Sequence, residues 1–297
     1  MTDWVLAVEG TPAGQTAALL LALLAAFLHA LFGALQKGKH DPWTSRTAID
    51  TGLIVLAAPV ALFMVPWPDP SHWWIYLGVM VIHFAYKVAQ ALTYDRGAYT
   101  VVYPIVRGTG PLFTVLGAGL IFGERFSAIQ WTGVAILLAG LFGLSAYNMA
   151  KIVVDRATLK PALAWAVVTG LLVACYTTWD AFGIRAEPDP MTFLAWFFFL
   201  SALDFPALAV LRGKWRRPNP ALIRLGVIGA VVAIGSFGSI MLATRLDSVG
   251  EAAVLRETSV VFAALLGWVM LGERVGPRRL ALIGLIALGA VVVEFGG

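Results

Sequence analysis

The chain has 297 residues, 60% of them hydrophobic and only 13% charged, with a mean hydropathy of +0.83. That composition excludes a soluble globule, which would lack the polar surface to cover itself. The formal charge of +4 is the Lys and Arg excess expected in the cytoplasmic loops of a membrane protein rather than the footprint of a nucleic-acid partner.

A helix that crosses a bilayer needs about 20 mostly apolar residues. Ten spans are predicted, at 14–36, 47–66, 72–93, 98–122, 128–149, 161–183, 191–211, 221–243, 249–271 and 278–295. The connections are too short for a soluble catalytic, nucleotide-binding or DNA-binding domain. The expected fold class is therefore an all-α membrane protein of ten transmembrane helices.

The first span follows Asp3 and Glu9 with no Lys or Arg before it, unlike the basic start of a cleaved signal peptide. It carries Gln36 and His29, the latter a candidate proton acceptor with a packing role as the alternative. At the mouth of the second span, Arg46 and Asp50 have the spacing of a local ion pair. Trp67, Trp73 and Trp74 beside Pro66 and Pro68 form an expected interfacial belt. In the third span, His83, Lys87, Gln90 and Tyr94 recur at intervals of four, three and four and share one helical face. Ionisable groups inside a membrane cost about 2.5–3.5 kcal/mol on insertion scales, so this stripe is expected to face the bundle interior or a water-filled cavity.

The fourth span carries Tyr103 and Arg107, and Arg107 lies ten residues past Gly97. That is about 15 Å along a helix, near the middle of a hydrocarbon core about 30 Å thick. Pro104 and Pro111 are expected to weaken the helix there, while Gly108 and Gly110 permit close approach. Gly133, Gly140 and Gly143 of the fifth span and Gly284 and Gly289 of the tenth are expected to pack helices closely. The sixth span brings Cys175, expected to pack, then Tyr176, Thr177, Trp179 and Asp180, the last a candidate for proton coupling. In the seventh, Asp204 precedes Phe205 and Pro206, and its role is open. The ninth carries Arg256 and Glu257 at a depth like that of Arg107.

A shift of 149 residues superposes Arg96 on Arg245, Arg107 on Arg256, Thr109 on Thr258, Phe113 on Phe262, and Gly123-Glu124-Arg125 on Gly272-Glu273-Arg274. The expected domains are thus repeats at 1–149 and 150–297, joined through the segment Lys151 to Lys160. Five spans per repeat is an odd number, so the second repeat is expected to be inverted in the membrane. Of the 21 Lys and Arg, fifteen lie in the loops after spans 1, 3, 5, 7 and 9, and only Arg125, Arg185 and Arg245 lie at the opposite ends. The crowded side is expected to be cytoplasmic, with both termini outside.

The copies differ where Gly108 corresponds to Glu257. Three cations, Lys87, Arg107 and Arg256, then face the anions Glu257 and Asp180, a balance suited to a substrate with an acidic group, with or without an amine. Arg107 and Arg256 would hold the acidic group, Lys87 and His83 extend the wall, and Glu257 and Asp180 bind an amine or a coupled proton. Tyr103 and Trp179 are further candidate site residues, and with Phe113 they would be the aromatic contacts for a lipophilic cation. The structural alternative is that Glu257 neutralises one of the arginines and substrate binds elsewhere.

The expected function is secondary active transport of a small polar, anionic or zwitterionic metabolite by alternating access. The alternatives are export of lipophilic cations at Glu257, or a membrane subunit that transports nothing. The chain contains no His-Glu-x-x-His, Walker lysine loop, Gly-x-Ser-x-Gly or Cys/His cluster, so neither an enzyme nor a cofactor or metal is expected. The partners expected are a small-molecule substrate, membrane lipid and a coupled proton as an option, with no nucleic acid and a monomeric or homodimeric state.

The ten-span plan, the repeated Gly-Glu-Arg ends of the fourth and ninth spans, and the segments from Leu28 to Lys37, Val102 to Pro111 and Leu255 to Ala264 resemble the EamA family of the drug/metabolite transporter superfamily over essentially the whole chain. The resemblance implies a multi-pass carrier of the inner, or plasma, membrane that works by alternating access without ATP. The charge count runs opposite to the orientation usual in that family, in which the termini are cytoplasmic.

Overall fold

The computed structural model describes residues 1–36, 41–97, 99–150, 156–215, 219–271 and 276–297. Among the described residues every regular element is helical. A short N-terminal helix α1 (Thr2–Val8) precedes α2 (Pro12–Gln36), α3 (Pro42–Phe63), α4 (Trp73–Arg96), α5 (Tyr99–Phe122) and α6 (Ala128–Met149). Then follow α7 (Arg156–Ala186), α8 (Pro190–Ser201), α9 (Asp204–Leu211), α10 (Pro220–Leu246), α11 (Val249–Arg256), α12 (Ser259–Leu271) and α13 (Pro277–Phe295). Nine described segments are long and apolar enough to cross a membrane, the pairs α8–α9 and α11–α12 each counting as one. Helix α13 matches the tenth expected span but carries Arg278, Arg279 and Glu294 within its 19 residues, too many charges to stand among those nine.

The helix starts have local causes. Asp41, Asp189 and Asn219 each accept a backbone N–H of the first turn, and each is followed by a proline whose missing N–H costs nothing there. Ser127 and Gln130 form a reciprocal capping box on α6. Burial alone would raise the Asp189 carboxyl, but bonds from Thr2, Met191 and Thr192 outweigh it and hold the group below the usual carboxylate range.

Contacts divide the chain into two compact units, Met1–Phe84 with Trp179–Asp247, and Ala85–Thr178 with Ser248–Gly297. Each draws on both sequence repeats, and the divisions at Phe84 and Thr178 fall inside α4 and α7. In the first unit α10 packs along α2 and α3, and α8 and α9 pack on α3. In the second, α6 lies against α13 and α5, and α5 against α11. A Cβ added to Gly133 would lie 2.8 Å from the Gly289 carbonyl oxygen, and one on Gly140 2.9 Å from that of Leu282, so the α6–α13 contact depends on these glycines. Gly284 takes no part, since a Cβ there would meet nothing within 4 Å. Cys175 is exposed on α7 rather than packed.

The expected weakening of the fourth span near Arg107 is not found, for α5 is helical from Tyr99 to Phe122. Thr109 Oγ1 donates to the Ile105 carbonyl at 2.8 Å, and Val102 and Val106 are buried against Ala162 and Ala166 of α7. Tertiary packing and a side-chain bond hold what the prolines would loosen. Two other spans are broken instead, between α8 and α9 and between α11 and α12.

The Gly-Glu-Arg motif acquires a role in its first copy. Gly123 takes φ +71°, a conformation that favours glycine, and turns the chain so that Glu124 reaches the start of α11. Its Oε1 accepts the Val249 N–H at 2.8 Å, and Oε2 accepts the Ser248 hydroxyl at 2.8 Å and the Gly250 N–H at 3.0 Å. The second copy, 272–274, lies outside the described residues. Glu124→Ala should leave three donors unmade and lower stability by about 1–3 kcal/mol, read as a reduced Tm in detergent, whereas Ala at the exposed Arg125 should not.

Candidate substrate site

The second unit contains one of the two broken spans, α11–α12, together with four buried charged groups. After Arg256 the α-helical bonding lapses. The N–H groups of Glu257, Thr258, Val260 and Val261 all reach back three residues, to the carbonyls of Val254, Leu255, Glu257 and Thr258. This tight connection leaves the end of α11 with carbonyls that a helix interior would have satisfied. Arg107 of α5 supplies the partner: Nη2 donates to the Arg256 carbonyl at 3.1 Å and to the Ser259 hydroxyl. Its Nε lies 2.9 Å from Glu257 Oε2, and its guanidinium carbon lies 5.8 Å from the centre of the Tyr103 ring. One guanidinium therefore ties the last carbonyl of α11, the carboxylate at the break and the first residue of α12.

The half-helix ends suit these charges. A helix C-terminus carries partial negative charge and favours Arg256 in the last turn of α11, and the N-terminus of α12 favours the Glu257 carboxylate. Lys87, Arg107, Arg256 and Glu257 are 3%, 7%, 4% and 4% exposed. Among the described residues they are the buried ionisable groups of this unit, Tyr apart, giving three cations against one carboxylate. Gln90 donates to the Tyr86 hydroxyl at 2.7 Å, and the Tyr86 and Tyr176 rings meet edge to face at 4.8 Å.

The other expected site residues fall in the first unit. His83 Nε2 lies 2.9 and 3.2 Å from the two Asp180 oxygens, with its ring edge-on to Phe197 at 5.0 Å. Both members are buried. Trp179 Nε1 donates to the Ile75 carbonyl at 2.9 Å, and the ring sits against Gly78 between Trp74 and Phe182. His29 is half-buried with its ring 6.5 Å from that of Phe237. The expected stripe on α4 is thus divided, with His83 in one unit and Lys87, Gln90 and Tyr94 in the other. Among the described residues no three His, Cys, Asp or Glu side chains come together as metal ligands would.

The sequence matches the EamA-like transporter family over residues 16–146 and again over 160–295. The chain belongs to that family. The two successive matches fit a two-repeat architecture. A solved crystal structure 19% identical in sequence superposes with a TM-score of 0.71, covering 94% of this chain and 96% of that one, and speaks for the fold alone. A relative from Sinorhizobium fredii, the uncharacterized protein y4nH, is 34% identical over 71 residues, which is 24% of this EamA chain and 56% of the relative. The chain therefore spans little more than half the length of that relative.

In the sequence Arg107 and Glu257 stand out but pair only as an alternative to anion binding, and Ser259 has no marked role. The signal for Ser259 was slight: a small hydroxyl residue just beyond a buried carboxylate, where the first copy has Gly110. Breaking a buried ion pair by removing one partner typically costs about 3–5 kcal/mol because the other charge is stranded. Arg107→Leu and Glu257→Leu should each destabilise the protein by that order. The double variant should lose much less than the sum, a coupling readable from thermal unfolding in detergent.

Proposed function

We propose that this EamA-family transporter is a secondary carrier of a small anionic or zwitterionic metabolite. The observation that carries the proposal is the buried charge of the second unit, three cations with one carboxylate, flanking a broken span. A net positive balance in a low-dielectric interior is stabilised by an anion, and broken helices in carriers commonly line substrate sites. Arg107 serves mainly to hold the break, so Lys87 and Arg256 take the acidic group, and Tyr103 borders it. Motion at the α11–α12 break, with α5, then opens the site to one side at a time. The buried His83–Asp180 pair carries the coupled proton. The carrier works in the inner membrane with both termini outside, and repeats 1–149 and 150–297 lie inverted to one another.

The rival, export of lipophilic cations at Glu257, is disfavoured by the same geometry. That carboxylate is already bound by a guanidinium at 2.9 Å.

Purified protein screened by thermal shift against phosphorylated metabolites, phosphonates, amino acids and organic cations should be stabilised by anions or zwitterions. At one hundred times Kd the gain is about 2.7 kcal/mol. Arg256→Gln and Lys87→Gln should fold yet lose that gain. Stabilisation by lipophilic cations alone would overturn the proposal in favour of the exporter. In proteoliposomes, Asp180→Asn should abolish accumulation driven by a proton gradient while sparing exchange of substrate across the membrane. Undiminished gradient-driven accumulation would leave His83–Asp180 a structural pair.

A further inference from the structure

The first unit contains a groove with no part in the proposed transport site. Its volume is about 980 Å³, and it is lined by one face of α3, by α9 with the turn after it, and by the first turns of α10. We propose that it binds an anionic glycerophospholipid of the adjoining leaflet, headgroup at the Arg212–Lys214 end and acyl chain along α3.

The groove is amphipathic along its length. At one end Trp43 stacks on Phe205 with ring centres 5.3 Å apart, and the Arg212 guanidinium carbon lies 5.8 Å from the Trp43 ring centre. Gly213 takes φ +63° and turns the chain at the end of α9, so Lys214 is delivered to the same mouth. The nearby Asp41 carboxylate is engaged as the N-cap of α3, accepting the Thr44 N–H at 3.0 Å and its hydroxyl at 2.6 Å. The mouth therefore has a net positive charge, framed by Trp residues as at a membrane interface.

Away from the mouth the walls become apolar. Thr47 and Thr51 line the groove, but their hydroxyls donate to the Trp43 and Thr47 carbonyls at 2.9 and 2.7 Å and turn no donor to an occupant. The floor is the crossing of α3 and α10, where a Cβ on Gly226 would lie 2.7 Å from the Ala48 carbonyl oxygen. The far end is aliphatic, at Val55 and Leu56. From Thr44 to Leu56 is about 18 Å of helix, comparable to the half-thickness of a hydrocarbon core, about 15 Å. A soluble anion would leave the apolar length unfilled and a neutral lipid would leave the basic mouth unmatched, whereas an anionic phospholipid satisfies both. Basic residues at a membrane surface attract anionic lipids.

The full-length protein would be purified, delipidated and titrated with phosphatidylglycerol, with phosphatidylcholine of the same chains, and with inorganic phosphate, reading Tm and lipid retained by native mass spectrometry. Phosphatidylglycerol alone should be retained and raise Tm. The double variant R212Q/K214Q should weaken its binding about tenfold or more. Thr51→Phe, which fills the groove from α3 without touching the mouth, should weaken it independently. Equal retention of the two lipids, an equal shift with inorganic phosphate, or phosphatidylglycerol binding unchanged in both variants would each overturn the proposal. None of these outcomes bears on Lys87 or Arg256, so the transport proposal stands or falls separately.

Discussion

A guanidinium and a broken helix are each costly in hydrocarbon, and here each removes the other's cost. Without water, the carbonyls released where a helix stops must find a donor within the protein, and a buried arginine must find acceptors. Arg107 meets the Arg256 carbonyl, Ser259 and Glu257 together. The break thus supplies acceptors for the guanidinium, and the guanidinium supplies a donor for the break. Substituting either partner of the ion pair strands the other, which makes this tie the point on which the second unit depends.

The repeat makes the arrangement possible and its divergence makes it useful. Arg107 and Arg256 occupy equivalent positions, yet Arg107 stands on an unbroken helix and Arg256 on the last turn of a broken one. The copies also differ at the next residue. A Cβ on Gly108 would lie 2.9 Å from the Phe142 ring, so the first copy uses this position for packing against α6. The second places Glu257 there and has a carboxylate for the other copy's arginine. One duplication thus supplies both a cation and the half-helix end that holds it.

The spans were legible because hydropathy over some twenty residues is a strong signal, and the described helices begin and end close to the expected limits. The break was not. Pro104 and Pro111 pointed to α5, where packing on Ala162 and Ala166 overrides them, whereas Glu257-Thr258 contains neither Pro nor Gly and yields to a partner far away in the chain. The Gly-Glu-Arg motif was visible as a repeat marker, but only the fold shows Glu124 meeting the start of α11. His83 and Asp180 were each noticed, as wall and proton candidate, and their pairing is likewise a tertiary fact. Trp179 read as a ligand contact because an aromatic beside a buried acid is ambiguous in sequence. In the fold its Nε1 donates to the Ile75 carbonyl.

The units cut across the repeats, and this bears on how a proton and an anion would be linked. Helix α4 carries His83 and, four residues on, Lys87. Residues at that spacing are neighbours on a helix, with Cβ atoms about 5–6 Å apart. Under the proposed function, a proton taken up by His83–Asp180 adds positive charge one turn from Lys87, in a medium where charges interact far more strongly than in water. An anion at Lys87 would then be held more tightly with the proton in place. Coupling would then need no direct contact between substrate and proton. Under that proposal a single turn of helix, whose spacing is set by covalent geometry, would link the two.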